Sequence, residues 1–133
     1  MHWVNVHSRD RGLLALFLFS DVGNDDAPTE IIIGSHLDVP QILAPFGERG
    51  TWSAGVTGAL PPSTFERPRA FATGEAGDVF LCHPFLLHRA TWPHLRTRPR
   101  MVAQAAVAIR RPFGLRQTPD TCLVEQVIIA GLR

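Results

Sequence analysis

Gly77-Asp78-Val79-Phe80-Leu81-Cys82-His83-Pro84-Phe85-Leu86-Leu87-His88-Arg89-Ala90 joins a turn, an apolar run and a histidine, and Arg100 opens the next apolar run at Met101. Val79 to His83 is short, apolar and preceded by the turn formers Glu75-Ala76-Gly77-Asp78, so it reads as a strand. Met101 to Ile109 reads as the last long strand and ends at Arg110-Arg111-Pro112. Leu13 to Phe19 is apolar on both parities, as in a strand buried on two faces, and stops at the turn-rich Ser20 to Pro28. Thr29 to Ile33 is β-branched and stopped by Gly34, and Arg69 to Thr73 forms a further strand. Asp38 to Ala44 is expected to make one or two helical turns with Asp38 as N-cap and Pro40 near the start. Pro45 to Pro68, interrupted by Gly47, Gly50, Gly55, Gly58 and Pro61-Pro62, reads as a covering loop. Thr118-Pro119-Asp120-Thr121 starts a terminal helix, with Leu123, Val124, Val127, Ile128 and Gly131 at helical spacing. No helical pattern alternates with the strands. The expected fold is therefore all-β, mainly strands with a C-terminal helix, as a sandwich, jelly roll or small barrel whose mouth receives alternate side chains.

A chain of 133 residues with 45% apolar content supports one domain with a modest core, residues 1–133. Thirteen basic against twelve acidic residues leave a charge of +1, which argues against a dedicated nucleic-acid or membrane-surface partner. Arg96, Arg98, Arg100, Arg110 and Arg111 are clustered, as solvated loop and strand-end arginines often are. Cys82 and Cys122 form neither a CxxC pair nor a disulfide framework and suit free thiols in a reducing compartment. The run Gly12 to Phe19 reaches less than half of the ~20 residues that span a bilayer. His2 and Trp3 do not make the basic start of a signal peptide, so a cytoplasmic location is expected.

Of the six histidines, His2, His7 and His94 have no supporting context. His83 and His88 are five positions apart, so in an unbroken strand they would face opposite ways, and Pro84 leaves that geometry open. His36-Leu37-Asp38 has the spacing that places an imidazole and a carboxylate on one face. With a distant histidine such a pair makes a facial iron(II) triad with open positions for substrate and oxygen. Gly34-Ser35-His36 before it suggests a strand-ending turn instead.

Four segments together resemble the phytanoyl-CoA dioxygenase family of iron(II)- and 2-oxoglutarate-dependent oxygenases. They are Leu16 to Val22, the Gly34-Ser35-His36 turn, Gly77 to His88, and the strand led by Arg100, and the helix from Cys122 to Leu132 also looks like the end of such proteins. The resemblance implies a double-stranded β-helix, in agreement with the jelly-roll reading. It implies that His88 is the second metal-binding histidine and that Arg100 grips the far carboxylate of the cosubstrate 2-oxoglutarate, a bidentate pairing that lysine would reproduce poorly. Arg98 is the fallback if the loop register differs by two, and Trp52 is a candidate for packing at the cosubstrate pocket.

The resemblance also carries a departure. In the family the His-x-Asp or His-x-Glu pair precedes the first buried strand, and the opening from His2 to Asp10 contains neither. His36 and Asp38 are therefore read as turn residues, and one imidazole does not complete a facial site. The expectation is the C-terminal part of an oxygenase domain, incomplete at its N-terminus, that exposes apolar surface and self-associates. The implied function is hydroxylation of an aliphatic C–H bond of a small organic substrate, with halogenation as a variant, and with this chain inactive by itself. The alternative is a non-catalytic β-helix module that binds a small molecule or a partner.

Overall fold

Leu13 to Leu18 is apolar at every position, and burial on both faces is what such a run requires. Leu14, Ala15, Leu16 and Leu18 are each at most 2% exposed. The computed structural model describes residues 3–9 and 11–133. Within them the chain forms β1 (Trp3–Val4), β2 (Leu13–Leu18), β3 (Thr29–Ile32), α1 (Val39–Leu43), β4 (Thr51–Trp52), α2 (Ser53–Ala59), α3 (Pro62–Phe65), β5 (Arg69–Ala72), β6 (Val79–Cys82), β7 (His88–Arg89), β8 (Val102–Val107) and α4 (Leu123–Gly131). Strands in small antiparallel sheets with a C-terminal helix give the mainly-β class expected.

The strands form a pair, β1 with β4, and two three-stranded sheets ordered β6-β2-β8 and β5-β3-β7. Among the described residues the sheets do not close into a barrel. After β3 the chain makes β5 in the same sheet, then alternates between the sheets through β6, β7 and β8. Leu14 and Leu16 of β2 meet Ile31 of β3, Ala72 of β5 and Cys82 of β6, so the two sheets share one apolar core. A second core joins Val6, Val39, Leu43, Val56, Leu60, Phe85 and Ile128. The short run Phe85-Leu86 touches both cores, because Phe85 belongs to the helical one and Leu86 packs on the other.

The segment from Pro45 to Pro68 is not the covering loop that its glycines and prolines suggest. It carries β4, α2 and α3, and Val56 and Leu60 are core residues. Pro62 sits in the first turn of α3, where its missing N–H costs nothing, and burial of Val56 outweighs the weak helix propensity of Gly55 and Gly58. Asp38 stands at the N-cap of α1 but makes no cap bond.

Helix α4 is fixed at both ends. The Glu125 carboxylate accepts the Cys122 N–H (2.8 Å) and the Gly114 N–H (2.7 Å), which satisfies a free donor at the helix start and ties the preceding loop to it. Near its end Gly131 lies against the chain before α1, where an added Cβ would stand 2.6 Å from the Leu37 carbonyl oxygen. No helix among the described residues is long and apolar enough to cross a membrane.

Candidate functional site

His88 is delivered to the inter-sheet space by a two-residue strand, which is too short to hold itself. Ile31 of β3 pairs with His88, and Glu30 pairs with Arg89. Alternation then puts Arg89 on the face opposite His88. There the buried Glu30 carboxylate accepts from Arg89 on one side and from Arg69 of β5 on the other (2.8 Å), a charged clamp across all three strands. Burial opposes the charge on Glu30, but the hydrogen bonds from Arg89 and Arg69 prevail and hold its carboxyl below the ordinary range. The segment before His88 is pinned as well: the Leu87 N–H donates to the fully buried Ser35 hydroxyl at 2.9 Å. Gly34 makes this turn with φ of 80°, a left-handed conformation that suits glycine.

The His88 ring is held at both nitrogens. Nδ1 lies 2.9 Å from the Leu86 carbonyl oxygen, and Nε2 lies 2.9 Å from the Gln104 side-chain nitrogen on β8. A carbonyl can only accept and an amide nitrogen can only donate, so the proton sits on Nδ1 and the Nε2 lone pair faces β8. The imidazole also lines a cleft of about 280 Å3 with Val4, Arg11, Val39, Val56 and Leu86. Among the described residues, Arg11 is the arginine that lines that cleft.

Arg100 stands two residues before β8, four residues ahead of Gln104 in the chain. Its guanidinium donates to the Ala27 carbonyl oxygen at the entry to β3, and Arg100 is not among the residues lining the His88 cleft. Arg98 is in the exposed loop before β8. Trp52 is half exposed on β4 and meets Trp3 edge to face, with ring centroids 5.0 Å apart. The structure thus joins His88 to Gln104.

His36 and Asp38 are occupied by other work. Both Asp38 carboxylate oxygens take Arg67 (2.8 and 2.9 Å), and Oδ2 also accepts the Thr64 hydroxyl at 2.7 Å. The Arg67 bond, opposed by burial and aided by Thr64, keeps the Asp38 carboxyl below its usual range. The His36 ring is 5.0 Å from that of His83, and its buried Nδ1 has no partner. Burial, and then the nearby Arg67 charge, lower the His36 pKa. Burial and the neighbouring His36 push His83 down to about 4, against the pull of the Val124 carbonyl.

An iron(II) site of the facial kind requires three protein donors. His88 could present one of them, but its Nε2 lone pair accepts the Gln104 side-chain N–H at 2.9 Å and would face a metal only on release of Gln104. Among the described residues no group of three or more histidine, cysteine, aspartate or glutamate side chains comes together. His2 and Asp10 lie outside the described residues. The donor set present does not fit a complete iron site. Comparison with protein-family models, curated proteins and solved structures finds no match for this chain.

Sequence reasoning missed Gln104, Glu30, Arg89 and Arg11. Gln104 was reachable, because it lies within the run from Met101 to Ile109 that the sequence marks as a strand. The Glu30 clamp was not, since its three members are far apart in sequence.

Proposed function

We propose that this chain is a β-domain of the iron(II)- and 2-oxoglutarate-dependent oxygenase type, resembling the phytanoyl-CoA dioxygenases, which retains one metal-type histidine and does not complete catalysis with its described residues. The observation that carries the reading is the His88 imidazole, pinned through Nδ1 so that its Nε2 lone pair faces the space between two sheets. Two further features support it. The strand orders β6-β2-β8 and β5-β3-β7, with the chain passing between the sheets, suit six strands of a jelly roll. Arg100 lies two residues before β8, and release from the Ala27 carbonyl would free its guanidinium for a carboxylate.

In this reading iron would be the group that activates oxygen in a complete family member. Here the residues perform only the protein's share: His88 would offer Nε2 once Gln104, which donates to that atom, moves aside, and Arg100 or Arg11 offers a cation to a small dicarboxylate. A second reading, a non-catalytic binding module, is favoured by the lack of a three-donor group among the described residues.

Anaerobic titrations of the purified chain with iron(II) and with 2-oxoglutarate test both readings, with succinate release as the activity readout. The expected result is 2-oxoglutarate binding that weakens at least tenfold in Arg100→Ala, with no succinate formed. Micromolar iron uptake with succinate release would overturn the inactive assignment and establish a working oxygenase. Absence of any 2-oxoglutarate binding would remove the oxygenase-type reading.

A further inference from the structure

We propose that the cleft between the segment after β1 and the segment after β8 binds a soluble organic phosphate, with the phosphate group held by Arg9, Arg110 and Arg111. The cleft has a volume of about 590 Å3, and Asn5, His7 and Glu48 line it together with the three arginines. It shares no lining residue with the His88 cleft. Arg9 is far from the other two arginines in sequence, and hydrogen bonds at His7 and Asn5 bring the segments together. The Phe113 N–H donates to the His7 carbonyl oxygen (3.2 Å) and His7 Nδ1 donates to the Phe113 carbonyl oxygen (2.7 Å), which closes the chain after Arg111 onto the chain before Arg9. The buried Asn5 side chain accepts the Arg9 N–H (3.3 Å) and donates to the Glu48 carbonyl oxygen (3.0 Å).

Charge and shape select the ligand. Among the described residues the ion pairs use Arg67, Arg69, Arg89, His94 and Arg96, while the guanidiniums of Arg9, Arg110 and Arg111 make no hydrogen bond or ion pair. Glu125 of α4 feels the Arg111 charge, but its two oxygens already accept the Gly114 and Cys122 N–H groups. Within the cleft three guanidiniums stand against the single carboxylate of Glu48, which leaves two positive charges, close to what a phosphate monoester cancels at neutral pH. A carboxylate has two oxygens in one plane and is satisfied by one arginine fork, whereas tetrahedral phosphate oxygens accept from several forks at once. Asn5 and Arg9 also line an adjoining cleft of about 310 Å3 with Trp3, Pro84, Phe85 and Ala106, so an apolar group carried by the phosphate has a place beside it. There the Trp3 ring is fixed by its Nε1–H, which donates to the Arg49 carbonyl oxygen, and by its edge-to-face contact with Trp52.

The test titrates the full chain with phenyl phosphate in a calorimeter. One site per chain is expected, roughly tenfold tighter for phenyl phosphate than for benzoate, which lacks the tetrahedral oxygens, or for inorganic phosphate, which lacks the ring. Arg9→Gln and Arg110→Gln, both at exposed positions, should each weaken phenyl phosphate roughly tenfold with unchanged circular dichroism. Arg98→Gln, in the exposed loop before β8, should leave it unchanged. Trp3→Ala should weaken phenyl phosphate and leave inorganic phosphate as it was. Absence of phenyl phosphate binding at millimolar concentration would overturn the proposal, as would benzoate bound equally well. Equal weakening by Arg98→Gln would reduce the effect to overall charge and overturn it too. Binding of a single-stranded oligonucleotide or of phosphatidate vesicles without binding of phenyl phosphate would assign the arginines to nucleic acid or to a lipid surface instead.

Discussion

Asp38 shows how a residue that looks like a metal ligand is committed elsewhere. Its two oxygens hold Arg67 and Thr64, and removing it strands a partly buried guanidinium. Asp38→Ala should lower stability by about 1 to 2 kcal/mol in urea unfolding and leave any metal affinity unchanged. A loss of metal binding would restore the His-x-Asp pair as ligands. The bond was invisible in the sequence, because Arg67 is 29 residues away in a segment read as loop. The buried histidine pair gives a second prediction. His36 and His83 both have lowered pKa values, so the unfolded chain takes up protons first as pH falls, and native stability declines from about pH 6.5 toward the His83 value of about 4. After allowance for partial solvent screening this amounts to about 1 kcal/mol by pH 5. The groups facing the pair are Arg67, Asp38 and the Val124 carbonyl, and the Asp38, Glu30 and Glu125 carboxyls are all held below their ordinary range. Urea midpoints at pH 7 and pH 5 should therefore differ less in His83→Gln than in the native chain, and an equal difference would locate the acid sensitivity elsewhere.

At the scale of elements, length and period decided what was legible. β2 and β8 each run for six residues, and α4 for nine with its apolar side at helical spacing, so all three could be read directly. β1, β4 and β7 have two residues each and exist only through their partners. α2 was hidden because glycine breaks the apolar period, and Val56 reveals its role only in the packed core. Strand β7 depends most on tertiary contact, and its dependence can be measured. Glu30 has a side chain only 6% exposed and serves both Arg69 and Arg89, so Glu30→Gln should cost about 2 kcal/mol. The loss should appear first as faster amide hydrogen exchange at His88 and Arg89, before β2 loosens. Uniform loss of protection across both sheets would show that the clamp supports the whole fold and not β7 in particular.

For the whole molecule the question is whether two cores make one cooperative unit. The inter-sheet core and the helical core are built from different elements, and the Phe85-Leu86 run packs on both just before His88. The mainly-β class was readable from the strand runs alone. The division into two cores was not, since it depends on helices between β3 and β5 that the glycines concealed. Leu16 is 1% exposed in the first core and Ile128 0% in the second, so each truncation to alanine should cost about 2 to 5 kcal/mol. If Phe85 and Leu86 couple the cores, either truncation lowers one shared thermal transition, seen alike by far-ultraviolet circular dichroism and, in a Trp92→Phe background, by tryptophan fluorescence from Trp3 and Trp52. Independent cores would respond differently: Ile128→Ala would shift the fluorescence transition and leave a separate, unshifted β-sheet transition. The shared transition is expected, because Ser35 at the start of the helical region holds the Leu87 N–H directly beside the strand that carries His88, which makes loosening of one core expose the edge of the other.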